Sequence, residues 1–380
     1  MDTDIPIAGY CDPHFVSVRD ALADNMRQGE EVGACVAVYV DGKPVVDLWA
    51  GYRDRARTLP WERDTLVCMM SVTKAIGALC VLMLADRGRI ELDAPVARYW
   101  PAFGRNGKDR ITVREVLAQE AGLPYADALA EGDVWNEARL FAALEAQAPE
   151  WPVRSTPCYH SFTAGPLYQG IVRHVDGRSL GQFLREEVGE PFDIDYHVGI
   201  ADEADRRRAE FIVTPGTPSW DGITRRTPSP LNRAWKGLPA DEDANSASWR
   251  FREFASANGH GNARSVARLY CALASGGTID GRRIIGHATL EDALKVRWDG
   301  IEFMTGRHFR FGTGFLYSCP PFPFGGEPRS FGHIGLGGAT SFGDPVRRLG
   351  FGYAPNRMAP IADQGPYAGP LIKATYRCLN

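Results

Sequence analysis

The sequence predicts an α+β chain: an antiparallel sheet flanked by helices, built from both termini, with a mostly helical domain inserted between them. Three observations carry that reading. Near the N-terminus, Gly33-Ala-Cys-Val-Ala-Val-Tyr-Val40 and Pro44-Val-Val-Asp-Leu-Trp49 flank an Asp41-Gly42 turn, a strong hairpin signal. The last third returns to short β-rich runs at 311–317, 330–334, 340–342 and 349–353. Between them, from about residue 88 to 212, apolar residues recur mostly at helical spacing. A chain of 380 residues exceeds what one hydrophobic core serves. The expected division is a discontinuous α/β domain, 1–85 with 215–380, around a helical domain at 86–214.

The elements follow in order. Phe15, Val18, Leu22 and Met26 fall at helical spacing and Gly29 ends that run. After the hairpin, an apolar segment at 66–70 leads into Ser71-Val-Thr-Lys74 and a stretch to Ala85 that is apolar on every side, the mark of a buried helix. Thr112-Val-Arg-Glu115 and Ser179-Leu-Gly-Gln182 carry capping-box spacing, and Gly122-Leu-Pro124 stops the first of those helices. Leu140 to Leu144 and Tyr168 to Val175 continue the helical periods. Residues 214–250 change character: five prolines, from Pro215 to Pro239, interrupt a polar stretch holding Trp220, Trp235 and Trp249, which predicts an ordered flap. A helix is expected at 263–275, closed by Gly276-Gly277, and another at 364–378. The clusters Arg206-Arg-Arg208 and Arg225-Arg226 read as solvated faces.

Composition excludes several function classes. The net charge of −4 is too small for a nucleic-acid footprint or a polybasic membrane anchor. No apolar run reaches membrane-spanning length, and Met1-Asp-Thr-Asp-Ile-Pro6 has no secretory character. The eight scattered cysteines form no Cys-x-x-Cys pair and read as free thiols, so a cytoplasmic location is expected, without nucleic-acid or membrane partners. The basic residues are 37 Arg and 6 Lys, so each lysine stands out.

No Gly-x-Ser-x-Gly elbow, phosphate-binding loop or His-Glu-x-x-His is present. What remains is Ser71-x-x-Lys74, whose first and last residues share one face of a helix. A serine needs a neighbour to take its proton, and a lysine whose pKa is lowered by burial can do so where arginine cannot. A serine opening a helix can also be a simple N-cap. Two further features invite either reading. Pro157-Cys-Tyr159-His160-Ser161 is a capped helix start or part of a site. The glycine-crowded segment Phe331-Gly-His333-Ile-Gly335-Leu336-Gly-Gly-Ala-Thr-Ser-Phe-Gly-Asp344-Pro345 marks either the close approach of a ligand or backbone, or a bulged edge strand.

Together, Ser71-x-x-Lys74, Tyr159-x-Ser161 and His333-Ile-Gly335, in that order, resemble the serine β-lactamase and penicillin-binding superfamily. Within it the chain looks most like the class C-like, β-lactamase-related carboxylesterases called family VIII esterases. Trp61-Glu-Arg-Asp-Thr65, Leu92 to Pro101, Glu120 to Pro124, Asn258-Gly, Ala263-Arg and Asp344-Pro345 support the likeness, which spans roughly residues 15–358. It implies a β-lactamase/transpeptidase-like fold, Ser71 as nucleophile, Lys74 as base or proton relay, and Tyr159 as second proton carrier. It also implies an oxyanion hole from the backbone N–H groups of Ser71 and Leu336, with Ser161, His333 and Gly335 binding substrate. An adjacent ammonium would push the Tyr159 phenol toward ionisation. No metal or organic cofactor is required.

Two departures bear on substrate. Class C β-lactamases carry asparagine where this chain has Ser161, and Lys-Thr-Gly where it has His333-Ile-Gly335. Losing that lysine weakens a site for a β-lactam or peptide carboxylate, since histidine is largely neutral at pH 7. The expected function is hydrolysis of a small-molecule ester through an acyl-serine. The alternatives are an amidase or D-aminopeptidase, an acyl transferase, a weak β-lactamase, and a penicillin-binding sensor that acylates without turnover. The Trp-rich segment and the Pro320-Pro-Phe-Pro-Phe324 loop are expected to roof an apolar pocket.

Overall fold

The computed structural model describes residues 5–29, 31–213, 217–224, 228–359 and 365–379. A nine-stranded antiparallel sheet runs in the order β1-β3-β2-β14-β13-β12-β11-β10-β9. The N-terminal part supplies β1 (Ile7–Cys11), β2 (Gly33–Val40) and β3 (Lys43–Gly51). The C-terminal part supplies β9 (Trp298–Ile301), β10 (His308–Phe311), β11 (Leu316–Tyr317), β12 (Phe331–Ile334), β13 (Thr340–Asp344) and β14 (Leu349–Pro355). The two halves join where β14 pairs with β2, from Leu349 opposite Val40 to Pro355 opposite Ala34. A small sheet of β4 (Val67–Cys68), β6 (Gly259–Gly261) and β5 (Tyr196–Val198), and a ribbon of β7 (Thr278–Ile279) and β8 (Arg282–Arg283), complete the β structure.

Local chemistry explains most elements. The β2–β3 turn puts Asp41 and Gly42 at positive φ, as the primed hairpin turn requires. Helix α1 (Val16–Arg27) buries Val18, Leu22 and Met26. It packs on the helix Gly365–Arg377 and against β1 and β3, while the helix Ala263–Ala274 packs along β2, β13 and β14. Helix α2 (Val72–Asp86) buries every residue from Val72 to Leu84 between β12 and the inserted helices. The insertion carries α3 (Val113–Leu117), α4 (Glu137–Ala146) and α5 (Ala164–Asp176), joined by long irregular segments. The capping box at α3 is complete in both directions, from Thr112 and from Glu115.

Several expectations are corrected. Strands β1 and β9 lie in segments that carry no strong alternation, and β10, His308-Phe-Arg-Phe311, alternates over only four residues. The expected strand 311–317 is broken at Gly312–Gly314, where the chain turns from β10 into β11. The glycine-crowded segment forms inner strands, not an edge: β12 and β13 lie between β11 and β14. Its glycines serve close backbone approach, since a Cβ at Gly332 would strike the Ser341 carbonyl and one at Gly343 would press on that of Tyr270. Arg206 is exposed, but Arg207 pairs with Asp195 at 2.6 Å and Arg208 with Asp205 at 3.1 Å, both half-buried rather than solvated. Pro215, Arg225 and Arg226 lie outside the described residues. All eight cysteines are free. Among the described residues no helix is long and apolar enough to cross a membrane.

Candidate active site

Ser71 stands at the N-terminal end of α2, directly after Met70, whose φ of +47° is in the left-handed region that a side chain disfavours. That turn is held by Thr73, the third residue of the Ser-x-x-Lys run. Its hydroxyl donates to the Met70 carbonyl at 2.5 Å and accepts from the Gly259 N–H at 2.9 Å. Although Ser71 occupies the N-cap position, its side chain makes no capping bond. Its Oγ lies instead 3.0 Å from Lys74 Nζ. The simple N-cap reading therefore fails.

Lys74 is 1% exposed and pairs with no carboxylate among the described residues. Its Nζ donates to the Ser256 carbonyl at 2.7 Å, and burial drives its pKa well below the ordinary lysine value. A neutral amine spends one N–H on that carbonyl and can turn its lone pair to the Ser71 hydroxyl. Tyr159 is also buried, with its ring centroid 5.0 Å from Lys74 Nζ and stacked on Phe309 at 5.2 Å. Burial pushes its phenol above the usual value, and the hydrogen-bonding Ser71 side chain only partly opposes this. Both directions run against the expected ionisation of Tyr159: burial favours the neutral amine over the ammonium and the phenol over the phenolate.

These groups meet at a cavity of about 310 Å³ lined by Ser71, Tyr159, Ser161, His333, Gly335 and Leu336. Apart from Lys74, which stands behind Ser71, every residue singled out from the sequence reaches it. Ser161 accepts from Trp235 Nε1 at 3.0 Å. His333 has Nδ1 2.6 Å from the Ile334 carbonyl, and burial, followed by the nearby Lys74, lowers its pKa to about 3. It is therefore neutral near pH 7. Gly335 packs so tightly that a Cβ would strike the Met69 carbonyl, which brings the end of β12 against the turn before Ser71. The N–H groups of Ser71 and Leu336 have no main-chain acceptor among the described residues. The expected roof is present: Ile223, Leu231 and Trp235 from the Trp-rich segment, and Phe322 from the proline-rich loop, line the cavity with Met304 and Phe309.

Two contributors had no sequence signal. Ser256 offers Lys74 a main-chain oxygen, which any residue type could supply. Its hydroxyl also accepts from the Gly165 N–H at 2.8 Å and donates to the Phe162 carbonyl at 2.5 Å, tying α2 to the segment after Tyr159. Glu302 accepts from the Tyr159 N–H at 2.8 Å across 143 positions of sequence.

A family model described as Beta-lactamase matches residues 18–371. The protein named Esterase/beta-lactamase LipL of Mycobacterium tuberculosis is 34% identical over 372 residues, covering 96% of this chain and 86% of that one. A solved family VIII carboxylesterase superposes with a TM-score of 0.90 at 36% identity, covering 98% of this chain and 100% of its own. A penicillin-binding protein homologue from Caulobacter crescentus gives the same TM-score, identity and coverage. This chain belongs to the β-lactamase family, as a serine hydrolase related to its carboxylesterases.

Proposed function

We propose that the chain hydrolyses small carboxylic esters through an acyl-Ser71 intermediate. The observation that carries this is the Ser71–Lys74 pair, 3.0 Å apart with the amine buried and no carboxylate partner among the described residues, opening on an apolar cavity. Ser71 Oγ attacks the ester carbonyl while its proton passes to the Lys74 amine. The N–H groups of Ser71 and Leu336 receive the oxyanion, aided by the positive end of α2. As the carbon–oxygen bond breaks, Tyr159 gives its proton to the leaving alkoxide and recovers one from the Lys74 ammonium. Water then attacks the acyl carbon, its proton returns through the same pair, and the acid leaves with the Ser71 hydroxyl restored. Lys74 and Tyr159 exchange protons as a unit.

The neutral His333 supports esters over β-lactams, because the strand beside Ser71 offers no cation to a substrate carboxylate. The relatives named as esterases, and the family VIII carboxylesterase structure, support the same choice. Amide cleavage, acyl transfer and weak β-lactam hydrolysis would use the same machinery. Parallel assays with a short-chain p-nitrophenyl ester and a chromogenic cephalosporin test the reading. Ester turnover at least about a hundredfold faster is expected, equivalent to about 2.7 kcal/mol in the barrier. Equal rates, or a long-lived stoichiometric adduct with no turnover, would refute it.

A further inference from the structure

Glu302 follows β9, is 1% exposed, and takes part in no step of the proposed mechanism. A carboxylate withdrawn from water must have its lone pairs met by donors. Here four donors converge on it. Oε2 accepts from the N–H of Tyr159 and from that of Met304, each at 2.8 Å. Oε1 accepts from the Thr305 N–H at 2.5 Å and from the Thr305 hydroxyl. Next to it, the Phe303 N–H donates to the Pro157 carbonyl at 2.9 Å, so the β9–β10 turn is stitched twice to the segment bearing Tyr159. The Tyr159 ring lies on Phe309 of the same hairpin. Main chain and ring are thus both referenced to one hairpin, and Met304 and Thr305 of its turn form part of the cavity wall.

From this geometry we infer that Glu302 is a positioning residue for Tyr159: its carboxylate fixes where the phenol hydroxyl stands relative to Ser71 and Lys74. The inference rests on the proton-carrier role given to Tyr159 above. The negative charge acts in the same sense, since after burial it is a further influence that opposes ionisation of the phenol.

A double-mutant cycle on p-nitrophenyl butyrate hydrolysis separates positioning from general support of the fold. Glu302→Gln keeps the size of the side chain but turns an amide N–H₂ toward main-chain donors. It is expected to lower kcat about tenfold to a hundredfold in the otherwise unchanged chain, and by less than about twofold in a Tyr159→Phe background, where no hydroxyl is left to position. Equal losses in both backgrounds, or no loss in the first, would overturn the inference. A Tyr159→Phe enzyme as active as the unchanged chain would instead overturn the proton-carrier role. If Glu302→Gln does not fold, Thr305→Val withdraws one donor from the buried carboxylate and runs through the same cycle. Its loss is expected to vanish with Tyr159→Phe, and a loss that persists would overturn the inference.

Discussion

At the residue scale, Lys74 is defined by its neighbours more than by its burial. Lys108 is also fully buried, and burial lowers its pKa to about 8, but its Nζ donates to three main-chain carbonyls, those of Arg105 at 3.0 Å and Glu145 at 2.9 Å with that of Gln147, which make it a structural tie. Lys74 has one such carbonyl and a serine hydroxyl. The scarcity of lysine therefore marks two buried positions, and only the Ser-x-x-Lys spacing distinguishes the chemical one. Lys74→Arg puts into that buried site a larger cation that cannot give up its proton, so kcat of the folded enzyme should fall by about 10²–10⁴ and the melting temperature should drop as well. Retention of more than a tenth of the activity would contradict the base role. The sign of the pH dependence follows from the same burial. The active form is the neutral amine, so kcat/KM rises with pH through the Lys74 pKa, and that acid limb must lie far below 10.5. An acid limb near the ordinary lysine value would count against it.

At the element scale, the site depends on how closely β12 approaches the turn before α2. The strained Met70, the Thr73 hydroxyl beneath it and the bare Cα of Gly335 together set that approach. Gly335→Ala would drive a methyl group into the Met69 carbonyl, displacing the Leu336 N–H from the Ser71 hydroxyl. The expected result is a loss of about 10²–10³ in kcat, the usual cost of one oxyanion donor, with KM for a small ester much less affected. Unchanged kcat would mean that Leu336 gives no donor to the reaction. Glycine crowding in 331–345 signalled close approach in the sequence, but not what approaches. At Gly335 the partner is backbone from a segment more than two hundred residues earlier, and no local pattern encodes such a pairing.

At the scale of the whole molecule, the sheet built from both termini was legible because its strongest signals are local. The Asp41-Gly42 turn, the helix of Phe15 to Met26 and the all-apolar helix after Ser71 each declare themselves within a dozen residues. Strands β1, β9 and β10 did not, because they take their place from neighbours already in the sheet. The active-site trio was legible from spacing and family likeness, whereas Ser256, Glu302 and the Trp235 bond to Ser161 arise only when distant segments fold together. The proposed chemistry rests on one atom, Ser71 Oγ, 3.0 Å from Lys74 Nζ. The most direct test is to quench the enzyme during turnover of a p-nitrophenyl ester and locate the acyl group by peptide mass spectrometry. The acyl mass should sit on the peptide containing Ser71, and both adduct and turnover should disappear in Ser71→Ala. An adduct on another residue, or ester hydrolysis that survives Ser71→Ala, would contradict the account.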